Sequence, residues 1–389
     1  MDVAIIGAGP AGASAAYEAA SEGQETVVFE EHPQVGRPPH CTGIMWVPNY
    51  RQAGLQFPNS IVQTNPDYVR VYFGLDRSIT FHAPGFTIVD RPALDRYLAE
   101  KASKAGAEVR VSNYVSKIER KNGNWAVSVR SPNGATEVRS KVLICADGHG
   151  TLLRHIGIQP PVEIISCMQY EVRTERSETS IMDAYLSPEL APGGYGWIVP
   201  SGDGKAKIGV GVRNSPRPCM YYMQNLLEHG LEDSVEVAER YGGIVQTSGV
   251  IKRNLEDGLM VVGGAAGYVN PITGAGIVSG YWSGKIAGQA AVTGLKKGDV
   301  TKEGLAEFKN TSHALLDEPF DRTLALRIAY DKLGGSEFDG LYKLVDKYAI
   351  TNGFKRRRML KAALRAILQH PNLAGFFLRF ARARDAMTL

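Results

Sequence analysis

The sequence predicts an α/β protein in three parts: a nucleotide-binding domain built on a parallel sheet and carrying a three-stranded meander, an antiparallel-sheet domain, and a C-terminal helical region. Three observations predict it. A strand, glycine turn, helix, strand pattern fills the first thirty residues; apolar and polar residues alternate through the middle of the chain; and from about Asp299 the chain reads as helices without catalytic motifs.

The first element is the apolar run Asp2-Val3-Ala4-Ile5-Ile6, followed by Gly7-Ala8-Gly9-Pro10-Ala11-Gly12, a small-residue helix from Ala13 to about Glu22, and the strand Thr26-Val27-Val28-Phe29-Glu30. Gly7 allows a tight turn, Gly9 lets the backbone approach a pyrophosphate, and Gly12 lets the helix lie close to the strand. The helix N-terminus, where Ala11 lies, adds unpaired N–H groups and a positive dipole end. Glu30, with Glu31 beside it, stands where the second strand must present an acid to a ribose hydroxyl. Together these residues specify a Rossmann-like dinucleotide-binding domain. The chain then enters the Pro- and Gly-rich loop Pro33–Gly43 instead of another strand–helix–strand unit. In flavoproteins of this architecture such a loop wraps the cofactor, which favours FAD over NAD.

From Ile44 to about Gly85 alternating residues such as Val69-Arg70-Val71-Tyr72-Phe73 predict strands of a second lobe. Asp90 is the expected N-cap of a helix that ends near Gly106. Arg91, in its first turn, is either a solvated arginine or a contact for a cofactor phosphate. A strand at Glu108–Val111 precedes a meander marked by Asn122-Gly123 and Asn133-Gly134. Its last apolar strand runs into Asp147-Gly148, where the carboxylate either orients flavin ribityl hydroxyls or merely makes a turn. Alternation from Ile164 to Ser248, with one helix over Tyr221–His229, predicts an antiparallel sheet roofing a pocket. Tyr195 and Trp197 are two apart and share a face of their strand, as core or as the wall of an apolar tunnel. Finally, Leu259–Ile277 is an apolar strand, a turn of small residues, a Pro-containing loop and the start of a helix over Val278–Thr293. Its free N–H groups suit negative charge at the isoalloxazine end. These elements divide the chain into an FAD-binding domain (1–45, 86–156 and 249–298), a substrate-binding domain (46–85 and 157–248) and a helical region (299–389).

Composition narrows the class. A net charge of +4, with 44% apolar and 22% charged residues, argues for an ordinary globular protein and against a nucleic-acid binder. No secretory signal is expected, because Met1 leads at once into a core strand. The apolar run Leu259–Gly280 is broken by Asn270-Pro271, so no membrane span is expected. Cys41, Cys145, Cys167 and Cys219 are scattered, which favours neither a metal site nor disulfides and fits a reducing cytoplasm. Lys355-Arg356-Arg357-Arg358, with Met359–Leu368 and Phe376–Arg384 beyond, reads either as a solvated face or as helices lying on the inner face of an anionic membrane.

The three glycine-bearing motifs, in this order, resemble the group-2 glutathione-reductase-type flavoproteins, the class of the aromatic hydroxylases, and most closely the archaeal geranylgeranyl reductases. The likeness covers roughly residues 1 to 300. Gly36–Gly43 with Cys41 resembles that family's cysteine-containing flavin loop, Tyr195-x-Trp197-x-x-Pro200 its YxWxFP substrate motif, and Gly263–Ile277 its GDAAGxxxPxxGxGI segment. The resemblance implies FAD contacts from Gly7, Gly9, Gly12, Glu30, Cys41, Thr42, Gly43, Arg91, the backbone near Val115, Gly276 and Ile277, with Gly264, Pro271 and Gly274 in the same segment. It implies substrate contacts from Tyr195, Trp197 and Pro200. Two departures stand out: Gly264 replaces the family's Asp, removing a carboxylate that holds a ribityl hydroxyl, and Val199 replaces Phe in what is expected to be the pocket wall.

The implied reaction is reduction of isolated C=C bonds in geranylgeranyl chains of lipid or prenyl diphosphate. Such a bond has no carbonyl to absorb charge, so a proton must arrive early, in a dry cavity where Tyr195 and Trp197 contribute about 0.5–2 kcal/mol each by cation–π contact. Cys41 is the candidate acid. One nucleotide fingerprint is visible, so electrons come from a transiently bound NAD(P)H or a small redox protein. Two other readings of the same fold are a flavin monooxygenase or quinone-linked dehydrogenase, and a non-catalytic prenyl-binding escort.

Overall fold

The computed structural model describes residues 1–74, 77–174, 180–230, 235–333, 337, 340–343, 373–383 and 386. A six-stranded sheet, in the order 255–256, 259–261, 142–145, 3–6, 26–29, 108–110, is parallel except at its first strand. Every residue of the strands Val3–Ile6, Thr26–Phe29 and Val142–Cys145 is buried, which is why they read as unbroken apolar runs without alternation. The helix Pro10–Ser21 follows the first strand and packs along the helix Ile277–Lys297. The contact is close because it is made of small residues: a Cβ on Gly284 would stand 1.9 Å from the Ala11 carbonyl oxygen, and one on Gly288 2.6 Å from that of Ala15. Pro10 opens the first helix three residues before Ala13, since its locked φ and missing N–H suit the first helical position. The second helix runs past Thr293 to Lys297, where Gly298 caps it at φ +70°.

The meander Tyr114–Lys121, Asn124–Ser131, Gly134–Ser140 forms the expected three-stranded antiparallel sheet, and its Ile118, Trp125 and Val127 join the core of the parallel sheet. Asp90 caps the helix Arg91–Lys104, its side chain accepting the Ala93 N–H at 3.0 Å. A seven-stranded sheet, in the order 236–246, 164–173, 205–212, 195–202, 181–186, 68–73, 78–82, is antiparallel except where 181–186 meets 68–73. One face is covered by the helix Cys219–Gly230, through Met223 and Leu226. The other face turns toward the parallel-sheet domain. A small sheet of Ile44–Trp46, Phe86–Val89 and Val62–Thr64 straddles the boundaries drawn at 45/46 and 85/86.

Beyond the long helix, Phe308, Leu316 and Phe320 carry the helical region into the core. A buried network reinforces the join: the Tyr268 hydroxyl donates to Asp317 at 2.9 Å, and Lys309 Nζ donates to the same carboxylate at 2.6 Å. The basic run 355–358, the segment 359–368 and Arg384 lie outside the described residues. The helix Leu373–Ala383 packs on Glu318–Tyr330, and among the described residues no helix is long and apolar enough to cross a membrane.

Candidate active site

At the glycine turn, Gly7 has φ +93° and its Cβ would lie 2.4 Å from the Ala146 carbonyl oxygen, while a Cβ on Gly12 would lie 1.9 Å from that of Gly7. Both positions require glycine. Gly9 differs, because nothing lies within 4 Å of its Cβ position. That open space at a helix N-terminus is the cradle a pyrophosphate needs. Glu30 is nearly buried beside it, its carboxylate accepting the Ala8 N–H at 2.9 Å and the His32 N–H at 3.0 Å. Glu31 is exposed. Ala11, placed among the cofactor residues by sequence, has its carbonyl and methyl group against Gly284 and Gly263 of the opposite motif. Val115 is buried two residues beyond Asn113, whose N–H donates to the Glu30 carbonyl at 2.8 Å.

The three motifs meet. Asp147 follows the strand that pairs with Val3–Ile6, so it stands beside Gly7, with Gly148 open to solvent after it. Its Oδ1 is buried without a hydrogen-bond partner, and burial raises the carboxyl pKa above its ordinary value. At Gly264 a Cβ would come within 2.6 Å of the Gly148 carbonyl oxygen. The departure from the family's Asp thus has a local reason, since no side chain fits there. Gln246 Oε1 lies 3.3 Å from that Cβ position, and its Nε2 donates to the His149 carbonyl at 2.8 Å, so a neutral amide borders the place of the missing carboxylate.

Where the third motif meets the seven-stranded sheet is a cavity of about 270 Å³. Cys41 and Thr42 of the cofactor loop, Gly274 to Ile277 of the third motif, and Tyr195 and Trp197 of the roof all line it. Gly276 is the N-cap of the long helix without a side-chain hydrogen bond, so the helix's first N–H groups are free toward the cavity end. The Tyr195 and Trp197 rings are 5.7 Å apart, tilted by 58°. The Tyr195 hydroxyl donates to the Thr273 carbonyl at 2.5 Å, and burial pushes its pKa far up, so the phenol stays protonated and engaged. The Trp197 indole lies over Gly209, where a Cβ would be 2.1 Å from its Cζ2. Pro200 is not among the residues that line this cavity. Five residues from Tyr195, it falls on the other face of the strand, away from the cavity, and its carbonyl accepts the Thr64 hydroxyl at 2.8 Å. Val199 packs with Ile88 and Met182 against Trp197 and is not among the residues that line the cavity. Pro271 is buried and is not among the residues that line the cavity.

Cys41 is half-buried, with its Sγ accepting the Gly43 N–H at 3.4 Å, and it lies beside the Arg91 guanidinium. Arg91 donates from Nη2 to both Asp95 oxygens at 3.1 and 3.0 Å, and its buried Nε has no partner. Arg91 is therefore not a surface arginine. Three polar residues that sequence reasoning missed hold this end together. Gln169 Oε1 accepts the Thr42 hydroxyl at 2.6 Å and the Trp197 indole N–H at 3.0 Å, linking cofactor loop to roof. Lys207, buried, donates to the Thr42 carbonyl at 2.8 Å and to Gln63 Oε1 at 2.7 Å, and burial lowers its pKa. His40 lines the cavity from an exposed position, its Nδ1 at 3.1 Å from the Gly242 carbonyl. No spacing rule marks these residues, because their partners are distant in the chain. An open glycine cradle, two orphaned polar atoms at Asp147 and Arg91, and a free helix N-terminus together fit an extended flavin dinucleotide.

Comparison with known proteins agrees. Residues 2–162 match the family model of FAD dependent oxidoreductases, and residues 163–245 that of the geranylgeranyl reductase catalytic domain. The digeranylgeranylglycerophospholipid reductase of Methanocaldococcus jannaschii is 32% identical, over 97% of each chain. That of Methanosarcina acetivorans is 33% identical, over 87% of each. The crystal structure of a geranylgeranyl bacteriochlorophyll reductase-like protein from Thermoplasma acidophilum superposes with a TM-score of 0.84 at 26% identity, covering 99% of this chain and 98% of that one. A p-nitrophenol 4-monooxygenase from Pseudomonas putida shares the fold, with a TM-score of 0.70 at 15% identity, over 93% of this chain and 97% of that one.

Proposed function

Because the chain belongs to the digeranylgeranylglycerophospholipid reductase family of FAD-dependent oxidoreductases, we propose that it saturates isolated double bonds of geranylgeranyl chains in lipids, with the cavity under Tyr195 and Trp197 as the reaction chamber. One observation carries the reading: a mainly apolar cavity lies where the cofactor loop, the third glycine motif and the aromatic pair converge. FAD would be held by Gly9 and the first helix N-terminus, by Glu30, by Asp147, and by Cys41 to Gly43 with Gly276 and Ile277. Bound there, it supplies the hydride.

The chain's own residues do the rest. Trp197 and Tyr195 exclude water and present ring faces that stabilise positive charge on the alkene carbons. Tyr195 is no proton source, because its hydroxyl is committed to Thr273. Cys167 lines the chamber, but burial pushes its thiol up to about 12, so it stays protonated and unreactive. In this reading Cys41, which lines the cavity from the cofactor loop beside the exposed His40, is the proton donor. The reductant is NAD(P)H or a small redox protein. The helix Leu373–Ala383, with Leu378 56% exposed and Arg379 and Arg382 on it, supports contact with an anionic membrane surface.

The test is anaerobic incubation of the reduced holoprotein with geranylgeranyl lipid, geranylgeranyl diphosphate and a quinone, scored by mass. Hydrogen added to the prenyl chains is the expected result. Reduction of the quinone alone, or oxygen insertion in air, would reject it in favour of a dehydrogenase or monooxygenase.

A further inference from the structure

A second cavity, of about 390 Å³, adjoins the first, and Gly194 lines both. The partition between them is the glycine turn Gly193-Gly194, immediately before Tyr195. Where the first chamber is apolar, this one holds two guanidinium groups, those of Arg213 and Arg327, each with its side chain only 7% exposed. Arg213 follows the strand Lys205–Val212 in the roof, while Arg327 comes from the helix Glu318–Tyr330. Asp331 bridges them, accepting from Arg213 Nη2 at 2.5 Å and from Arg327 Nη1 at 3.1 Å. Arg327 Nη2 donates to Glu163, and Arg327 Nε is buried with no partner at all.

Each guanidinium carries five N–H donors in a rigid fork, and only three donor atoms of the pair are engaged by these carboxylates. Leaving the buried Arg327 Nε without a partner is unfavourable. The ligand that fits planar forks bidentately is a phosphate or carboxylate. The two acidic residues are not equivalent. Asp331 is fixed between the arginines and orients them, whereas the Glu163 side chain is 45% exposed and can turn into water, releasing Arg327 Nη2.

We propose that this cavity seats the anionic head group of the substrate, a phosphate ester, while the attached prenyl chain passes Gly194 into the chamber under Tyr195 and Trp197. The proposal rests on the reading of the first chamber as a prenyl site, and it names Arg213 and Arg327 as the residues that select a phosphorylated lipid over a neutral one. Glu163 acts as a displaceable stand-in for the phosphate.

Isothermal titration of the oxidised holoprotein in detergent with geranylgeranyl diphosphate, geranylgeraniol, inorganic pyrophosphate and NADPH tests it. The diphosphate should bind about tenfold or more tightly than the alcohol. Arg213→Lys, which keeps the charge and loses the fork, should bring that ratio toward one, and Glu163→Gln should widen it. Opposite signs in the two variants are the signature, because a purely structural ion-pair cluster would weaken both ligands alike. Should Arg213→Lys fail to retain flavin, Glu163→Gln, at a half-exposed position, decides alone. An unchanged ratio in Glu163→Gln, pyrophosphate bound as tightly as the prenyl diphosphate, or Arg213-dependent binding confined to NADPH would each overturn the proposal. A protein that binds prenyl diphosphate through Arg213 but reduces no prenyl chain keeps the head-group site and loses the reductase reading. One that reduces prenyl chains with its preference unaltered in both variants does the reverse.

Discussion

Gln169 accepts two hydrogen bonds on one oxygen, from the cofactor loop and from the indole of the roof, and so holds the two halves of the site in register. Gln169→Leu preserves volume but leaves the Thr42 hydroxyl and the Trp197 N–H unpaired inside the protein, a loss of about 2–3 kcal/mol. Denaturant unfolding should show that loss, together with a changed flavin absorption spectrum; an unaltered spectrum would mean that the link does not reach the cofactor. Asp147 is a different case, since its buried carboxylate is unfavourable until something binds it. The unfolded chain ionises this group near 3.8, and the folded protein ionises it at higher pH. The penalty is therefore full above the folded value and vanishes as pH falls through that value toward 3.8. Asp147→Asn should stabilise the flavin-free protein by about 1 kcal/mol at pH 7, with the gain gone below the unfolded value, and should weaken flavin binding. Equal stability of variant and parent across that range would show that the carboxylate carries no burial penalty. Gly7, Gly9 and Gly12 were readable from sequence because each answers a local demand of the turn. Gln169 was not, because it is one glutamine in an alternating strand whose partners are supplied by other strands.

The paired helices Pro10–Ser21 and Ile277–Lys297 bring the first and third motifs together along a seam of Ala and Gly. Gly284→Ala would drive a methyl into the Ala11 carbonyl, shifting the turn at Gly9, and should destabilise by about 1–3 kcal/mol while lowering flavin retention. Gly298→Ala is the matched control. It meets nothing within 4 Å and is strained only by its φ of +70°, so it should cost about 1 kcal/mol and leave flavin retention intact. Loss of flavin in both variants alike would refute the seam as the link. Helices and strands of this domain were legible from periodicity, caps and turn residues, with Asp90 and the Asn-Gly hairpins the clearest. The displaced ends, Pro10 in place of Ala13 and Lys297 in place of Thr293, reflect boundaries that depend on which residue caps a helix and on no change of hydrophobic pattern.

Across the whole molecule, the C-terminal helical region is tied to the site and not merely appended to it. Asn270 shapes the third motif by accepting the Ile272 and Thr273 N–H groups, and its Nδ2 donates to the Ala386 carbonyl at 3.1 Å. A helix bearing exposed Leu378 and Phe380 thus lies only a few residues from the loop that flanks the chamber. Co-sedimentation with anionic vesicles should fall several-fold in Leu378→Asp and with rising salt; retention on vesicles unaffected by either would refute the surface contact. The sequence by itself determined the fold class, the three glycine turns and the aromatic pair, because positive φ, close backbone approach and strand alternation are local properties written in consecutive residues. Only the tertiary structure decided that Pro200 and Val199 stand away from the cavity, that Gln246 borders the place of the missing carboxylate, and that Arg213 meets Arg327 across a second chamber. Those outcomes depend on which distant strands and helices become neighbours, and burial and hydrogen-bond pairing take their values only once the chain has closed around them.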